Sequence, residues 1–131
     1  MMKVKVMIYE EDRRKRWHMM RVIRQAQPGV SLYGFRDAAQ AIQFAEQEKP
    51  EAAFISLENE DGRGYFLIKK LRRVSPRTNV IAVSGTYRFE AELMRLRISG
   101  YVTEAFTREK VIDEMENLRY RDEETEQMAA L

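Results

Sequence analysis

The chain of 131 residues contains no cysteine. Disulfides, thiolate catalysis and zinc ribbons are therefore excluded, and a reducing compartment fits. There is one histidine, His18. A nucleophilic serine needs a base beside it, and His18 falls inside a helical stretch, where it is expected to lie away from the strand ends. No long apolar run is present. The opening MMKVKVMIYEEDRR is too short for a signal peptide or a membrane helix, and acids follow it at once. A soluble, cytoplasmic protein is expected. Neither sign of charge dominates. Lys and Arg number 23 against 21 Asp and Glu, a formal net charge of +2. Nothing here drives general binding to nucleic acid or to an anionic membrane. No internal repeat, low-complexity segment or interdomain linker stands out.

What is present suits a single core, with 44% hydrophobic residues. Short β-branched runs alternate with amphipathic stretches. Lys3–Tyr9 reads as a strand with Val4, Val6 and Ile8 on one face. A helix from Asp12 to Gln25 follows, capped by Asp12 and carrying Met19, Met20 and Ile23. Gln27-Pro28-Gly29 is a turn before the strand Val30–Phe35. Asp37 caps a helix lined by Ala38, Ala41, Ile42 and Ala45. Ala52–Leu57 is an apolar run of the kind that lies covered on both faces. After the polar loop 58–64 comes the helix Tyr65–Arg73, which buries Phe66 or Leu67 with Leu71. Asn79–Ser84 is a second covered strand. A helix near Phe89–Arg97 carries Leu93 and Leu96. Gly100–Thr103 is a short strand. Thr107 caps a helix with Val111, Ile112, Met115 and Leu118.

Five βα units joined by right-handed crossovers make a doubly wound, five-stranded parallel sheet with helices on both faces. Domain limits of 1–120 are expected, with 121–131 a tail or an extension of the last helix. Ligands of such sheets sit beyond the carboxyl ends of the strands. That singles out Glu10-Glu11-Asp12, Ser56–Glu58, Ser84-Gly85 and Thr103-Glu104.

These strand ends carry a resemblance to the bacterial response-regulator receiver family, over roughly residues 3–120. Glu10-Glu11 stands at the family's acidic pair. In Ser56-Leu57-Glu58-Asn59-Glu60-Asp61-Gly62-Arg63-Gly64, Ser56 stands at the phosphoacceptor Asp, Glu60 at the Pro, and Gly64 matches. Ser84 matches the Ser/Thr after the fourth strand, with Gly85 at the usual Ala. Ser99-Gly100-Tyr101-Val102-Thr103-Glu104-Ala105-Phe106 is similar to the fifth-strand motif, with Glu104 for Lys and Ala105 for Pro. The stretch 107–120 is similar to receivers that precede DNA-binding output domains in Gram-positive bacteria. The resemblance implies a receiver or flavodoxin-like fold and a place in two-component signalling or phosphorelay.

In the family, the acidic pair and acceptor hold Mg²⁺ against a phosphoryl group. The Lys pairs with that group, and the Ser/Thr hydroxyl moves to bond it. Here Ser56 cannot form an acyl phosphate, and Glu104 puts negative charge where phosphate needs positive. Like charges within about 6 Å cost each other on the order of 1–3 kcal/mol. The expected protein is a degenerate pseudo-receiver, not an enzyme, with Glu10, Glu11, Ser56, Ser84 and Glu104 as its altered pocket. No cofactor is expected. Glu10 and Glu11 are the metal candidates, and Mg²⁺ binding there is expected to be weak.

Ser84 and Tyr101 match the pair that couples site to surface in receivers, against a plain packing role. The run Arg13-Arg14-Lys15-Arg16, with Trp17, His18 and Arg21, is set between a nucleic-acid contact, an acidic partner surface, pairing with Glu46 or Glu48, and a solvated face. Signal is expected to pass by protein contacts, a homodimer among them. The face is that of the fourth helix, fifth strand and fifth helix, with Glu92, Met94, Arg95, Lys110, Glu114, Asn117 and Arg121 outward. Arg95 would face Glu114 of a second copy, and Tyr101 would be the apolar anchor. The alternatives are a functional response-regulator receiver, and the regulatory domain of a DNA-binding regulator whose output domain lies outside this chain.

Overall fold

A computed structural model describes residues 3–59, 61–86, 89–103 and 105–121. Among them run β1 (Lys5–Tyr9), α1 (Arg13–Ala26), β2 (Ser31–Phe35), α2 (Ala38–Glu48), β3 (Ala52–Ser56), α3 (Arg63–Val74), β4 (Asn79–Val83), α4 (Glu90–Arg95), β5 (Gly100–Val102) and α5 (Arg108–Glu116). The strands form one parallel sheet in the order β2-β1-β3-β4-β5. The expected tail lies almost wholly outside the described residues.

Alternation along each strand sorts the core into two layers. Val6, Ile8, Ala52, Phe54 and Ile81 join Met19, Val22 and Ile23 of α1 and Val111 of α5 on one face. Met7, Tyr9, Ala53, Ile55, Val80 and Ala82 join Ala41 and Ala45 of α2, Leu67, Ile68 and Leu71 of α3 and Leu93 of α4 on the other. The one-sided reading of the first strand needs correction. Val6, Met7, Ile8 and Tyr9 are all fully buried, because helices cover both faces. Val4 lies before the strand and is exposed.

The capping residues act as their sequence positions suggest. The side chains of Asp12, Asp37 and Thr107 accept from the amides of Lys15, Gln40 and Lys110, satisfying donors that a helix start leaves free. The Lys15 amide, first among the causes, holds the Asp12 carboxyl below its ordinary value. Gly64 stands in the first turn of α3, where no side chain fits. A Cβ there would stand 2.1 Å from the Ser56 carbonyl oxygen. The Asn59 side chain ties the same corner, donating to that carbonyl at 3.0 Å and accepting from the Gly64 amide at 3.1 Å.

At the opposite edge of the sheet, Asn79 is buried and fastens the end of the described chain. It accepts from the Tyr120 amide and donates to the Tyr120 carbonyl, both at 2.6 Å. Of the alternatives for the α1 basic run, pairing with Glu46 or Glu48 is not seen among the described residues. Glu48 pairs with Lys5 at 2.8 Å, while Arg16 donates to the Glu10 carbonyl at 2.7 Å and Arg13 lies 4.8 Å over the Trp17 ring.

Between the two candidates for the α3 core position, Leu67 is fully buried and Phe66 is 53% exposed. Leu67→Ala should therefore cost about 2–5 kcal/mol through lost burial and the cavity left behind. Phe66→Ala should cost less than about 1 kcal/mol. Urea unfolding of the two variants checks the ordering, and equal losses would contradict it.

Candidate functional site

Parallel register brings the carboxyl ends of the central strands to one edge. Tyr9 pairs with Ile55, Ser56 with Val83, and Val83 with Val102. The sheet order places β2 and β3 on opposite sides of β1, so the chain reverses its winding there, which is where such folds open a crevice. A cleft of about 470 Å³ lies at this edge. Glu10, Ser56, Glu58, Ser84 and Gly85 form part of it, with Arg14, Lys15 and His18 of α1 beside them. His18 thus corrects its expected place. One helical turn past Lys15 still overlooks the strand ends, because α1 starts at that edge.

The acidic pair does not act as a pair. Glu10 is buried, and its carboxylate folds back to accept from the Asp12 amide at 3.0 Å. Glu11 is not part of the cleft wall, and its carboxylate meets Arg63 of α3 at 3.4 Å. Arg63 also pairs with Asp61. Ser56 is 1% exposed, and its hydroxyl accepts from the Glu58 amide at 3.2 Å. A Mg²⁺ site of the receiver kind does not fit these residues. One carboxylate is spent on a backbone amide, one on Arg63, and the third position has a neutral hydroxyl. Among the described residues no three acidic or imidazole side chains converge.

Sequence reasoning gave Glu58 no role of its own. Its carboxylate accepts from the Ser84 hydroxyl at 3.2 Å and from the Gly85 amide at 2.5 Å. Its place two residues beyond Ser56, at a strand end, was the signal available. Its reach across to β4 was not. Glu104 and Glu60 lie outside the described residues.

Ser84 and Tyr101 are linked through Thr86. The Ser84 hydroxyl oxygen accepts from the Thr86 amide at 3.2 Å, and the Tyr101 hydroxyl donates to the Thr86 carbonyl at 2.9 Å. The Tyr101 ring is half-buried and packs against the α2–α3 side of the core. Part of the ring also lines a surface cleft beside Met94.

Glu114 also departs from its expected outward place. Its side chain lies against Gly100, where a Cβ would stand 1.7 Å from Oε2. Burial pushes its carboxyl above the usual value, Asp113 adds to this, and the Tyr101 amide that it accepts from opposes them. Lys110 turns back likewise, donating to the Thr103 carbonyl at 2.6 Å. Both long side chains cross the short gap between α5 and β5 instead of leaving the surface. Arg95, Glu92 and Met94 are exposed as expected, Met94 by 68%.

Comparison with known proteins places the fold. No family model and no curated protein matches the chain. Solved structures do. The signal receiver domain of a Luxo repressor protein from Vibrio parahaemolyticus aligns at a TM-score of 0.75 and 14% identity, over 88% of each chain. A CheY-like response regulator receiver domain from Methanospirillum hungatei JF-1 aligns at 0.76 and 14%, over 88% of this chain and 92% of its own. The response regulator domain of Thermotoga maritima CheB aligns at 0.68 and 21%, over 87% and 91%. The chain has the receiver fold. Among the described residues no helix is long and apolar enough to cross a membrane.

Tyr9, the last residue of β1, carries a pH signature. Its side chain is fully buried, and its hydroxyl lies close enough to the Glu11 carboxylate to interact with it. Burial foremost, then the Glu11 carboxylate, push its pKa up from 10.0 to about 12. The folded state thus holds this proton more tightly than the unfolded chain. The contribution is whole below the ordinary phenol pKa of about 10 and is lost as pH rises through about 12. Wild type should lose more stability than Tyr9→Phe between about pH 9 and about pH 11. Denaturant unfolding at the two pH values measures this, and parallel losses would refute it.

Proposed function

We propose that the chain is a phosphorylation-independent receiver-like signalling module that acts through protein–protein contacts. The observation that carries the reading is the pair Ser56 and Glu58. The position that would accept a phosphoryl group holds a buried hydroxyl, and the hydroxyl and amide across from it already serve a carboxylate. A serine has no carboxylate from which an acyl phosphate could form. The divided acidic pair supports the same reading, since a metal that would neutralise phosphoryl oxygens meets no converging set of three acids among the described residues. The pocket is then a retained frame, and the signal lies in its surface.

The contact surface in this reading is the face of α4, β5 and α5. Met94 supplies exposed apolar area there, with Arg95 and Glu92 on the same helix. A shallow cleft of about 240 Å³ lies beside Met94, between Ile98, Tyr101 and Arg119. Charge of both signs around an apolar spot suits a self-complementary contact, and a second copy of the chain is the partner to test first. Glu114 is withdrawn from this role by its contact with Gly100 and Tyr101.

Two measurements test the reading. Incubation with a small acyl-phosphate donor and Mg²⁺, followed by intact mass, should show no adduct. A stoichiometric phosphate that hydroxylamine removes would sink phosphorylation independence. Light scattering over a concentration series should show self-association that Met94→Ala and Arg95→Glu each weaken by about tenfold or less, the scale of one rim charge or one partly buried contact. A dimer indifferent to both changes would place the interface elsewhere.

A further inference from the structure

We propose that Ser84 and Gly85 form a small oxyanion site, that the Glu58 carboxylate of the same chain is its resident ligand, and that this occupancy holds Tyr101 in place. The inference rests on the phosphorylation-independent reading, since it assigns to Glu58 the position a transferred group would otherwise need.

Two donors from β4 and the residue after it converge on one carboxylate oxygen, the Ser84 hydroxyl at 3.2 Å and the Gly85 amide at 2.5 Å. The direction of the hydroxyl bond follows from its other neighbour. The Thr86 amide donates to the Ser84 oxygen at 3.2 Å, so the hydroxyl proton is left for Glu58. A carboxylate accepts but does not donate, so both bonds are charge-assisted. Ser84 is 5% exposed, and its own amide is anchored to the Val102 carbonyl at 3.0 Å. The donors are thus held by the sheet, independently of what they bind.

The ligand is held at its backbone as well. The Glu58 amide donates to the Ser56 hydroxyl oxygen at 3.2 Å. Serine suits this position beside a carboxylate ligand. It offers the same acceptor that an aspartate would, without a second negative charge next to Glu58. With a neutral hydroxyl at 56, the one negative charge of this pair sits on Glu58. Glu58 itself is exposed, so its bonds compete with water and an external anion can reach the site when the carboxylate is removed.

From the site the bonds continue to the surface. Ser84 holds the Thr86 amide, and the Thr86 carbonyl holds the Tyr101 hydroxyl. Loss of the anion frees the Ser84 hydroxyl to turn, which loosens Thr86 and then Tyr101 beside α4.

Amide NMR of the full chain tests this. In Glu58→Ala the Gly85 amide proton should move upfield and exchange several-fold faster, and the Thr86 and Tyr101 signals should shift. Phe54 and Ile81, in the sheet interior, should not. Titrated acetate or inorganic phosphate should return the Gly85 and Thr86 signals toward their wild-type positions in the variant and leave wild type unmoved. Gly85 signals that are the same in wild type and Glu58→Ala would overturn the proposal, as would anion titrations that move both proteins alike. If Glu58→Ala does not fold, Glu58→Gln carries the test, because removing the charge must still move a bonded Gly85 amide, and an unmoved one overturns the site. The two claims fail separately. An acyl-phosphate adduct on wild type removes phosphorylation independence, whereas an unresponsive Gly85 amide without any adduct removes only the self-ligated anion site.

Discussion

The constraint on which the rest of this molecule depends is a parallel sheet covered on both faces. Helices pack against each side, so polar side chains have no place along the interior of the strands. They gather where the strands end. Glu10, Ser56 and Ser84 are buried at the carboxyl edge, and Ser75, Thr78 and Asn79 at the other. Burial then decides how each must bond, because a buried polar group without a partner is costly.

The two edges meet that demand differently. At the amino edge the bonds close on themselves. The Ser75 and Thr78 hydroxyls lie 2.5 Å apart, Thr78 donates to the Pro50 carbonyl, and Asn79 takes the backbone of Tyr120 and the hydroxyl of Ser99. This is a seam that fastens the last described segment to the sheet. At the carboxyl edge the bonds form a line that ends at the surface, from Glu58 through Ser84 and Thr86 to Tyr101. A closed set of bonds stabilises, whereas a line with a removable end can transmit.

The charges at the carboxyl edge fit together electrostatically. A site built for a doubly charged group needs a metal and a lysine to offset its own carboxylates. Here Ser56 is neutral, Glu10 bonds an amide, and Glu11 has Arg63 as its counterion. Glu10 and Glu11 thus each have a local partner of their own. Arg14, Lys15 and His18 stand along the same cleft, exposed to solvent.

The order of elements was legible in the sequence because period and capping are local properties. Alternating apolar runs, the caps Asp12, Asp37 and Thr107, and Gly64 beside the loop each declare themselves within a few residues. The parallel sheet followed from the βα repeat, and the clustering of Glu10, Ser56 and Ser84 followed from the sheet. Contacts between distant segments were not legible. Whether Glu11 stays with Glu10 or leaves for Arg63 depends on where α3 lies. Whether Glu114 and Tyr101 face out depends on how closely α5 approaches β5, which the bare Gly100 backbone permits. Glu58 shows the same division most plainly. The sequence by itself determined that an acid stands two residues past the third strand. Only the tertiary structure decided that its carboxylate meets Ser84 and Gly85, because a side chain's partner is set by the packing of neighbouring strands and not by its own place in the chain.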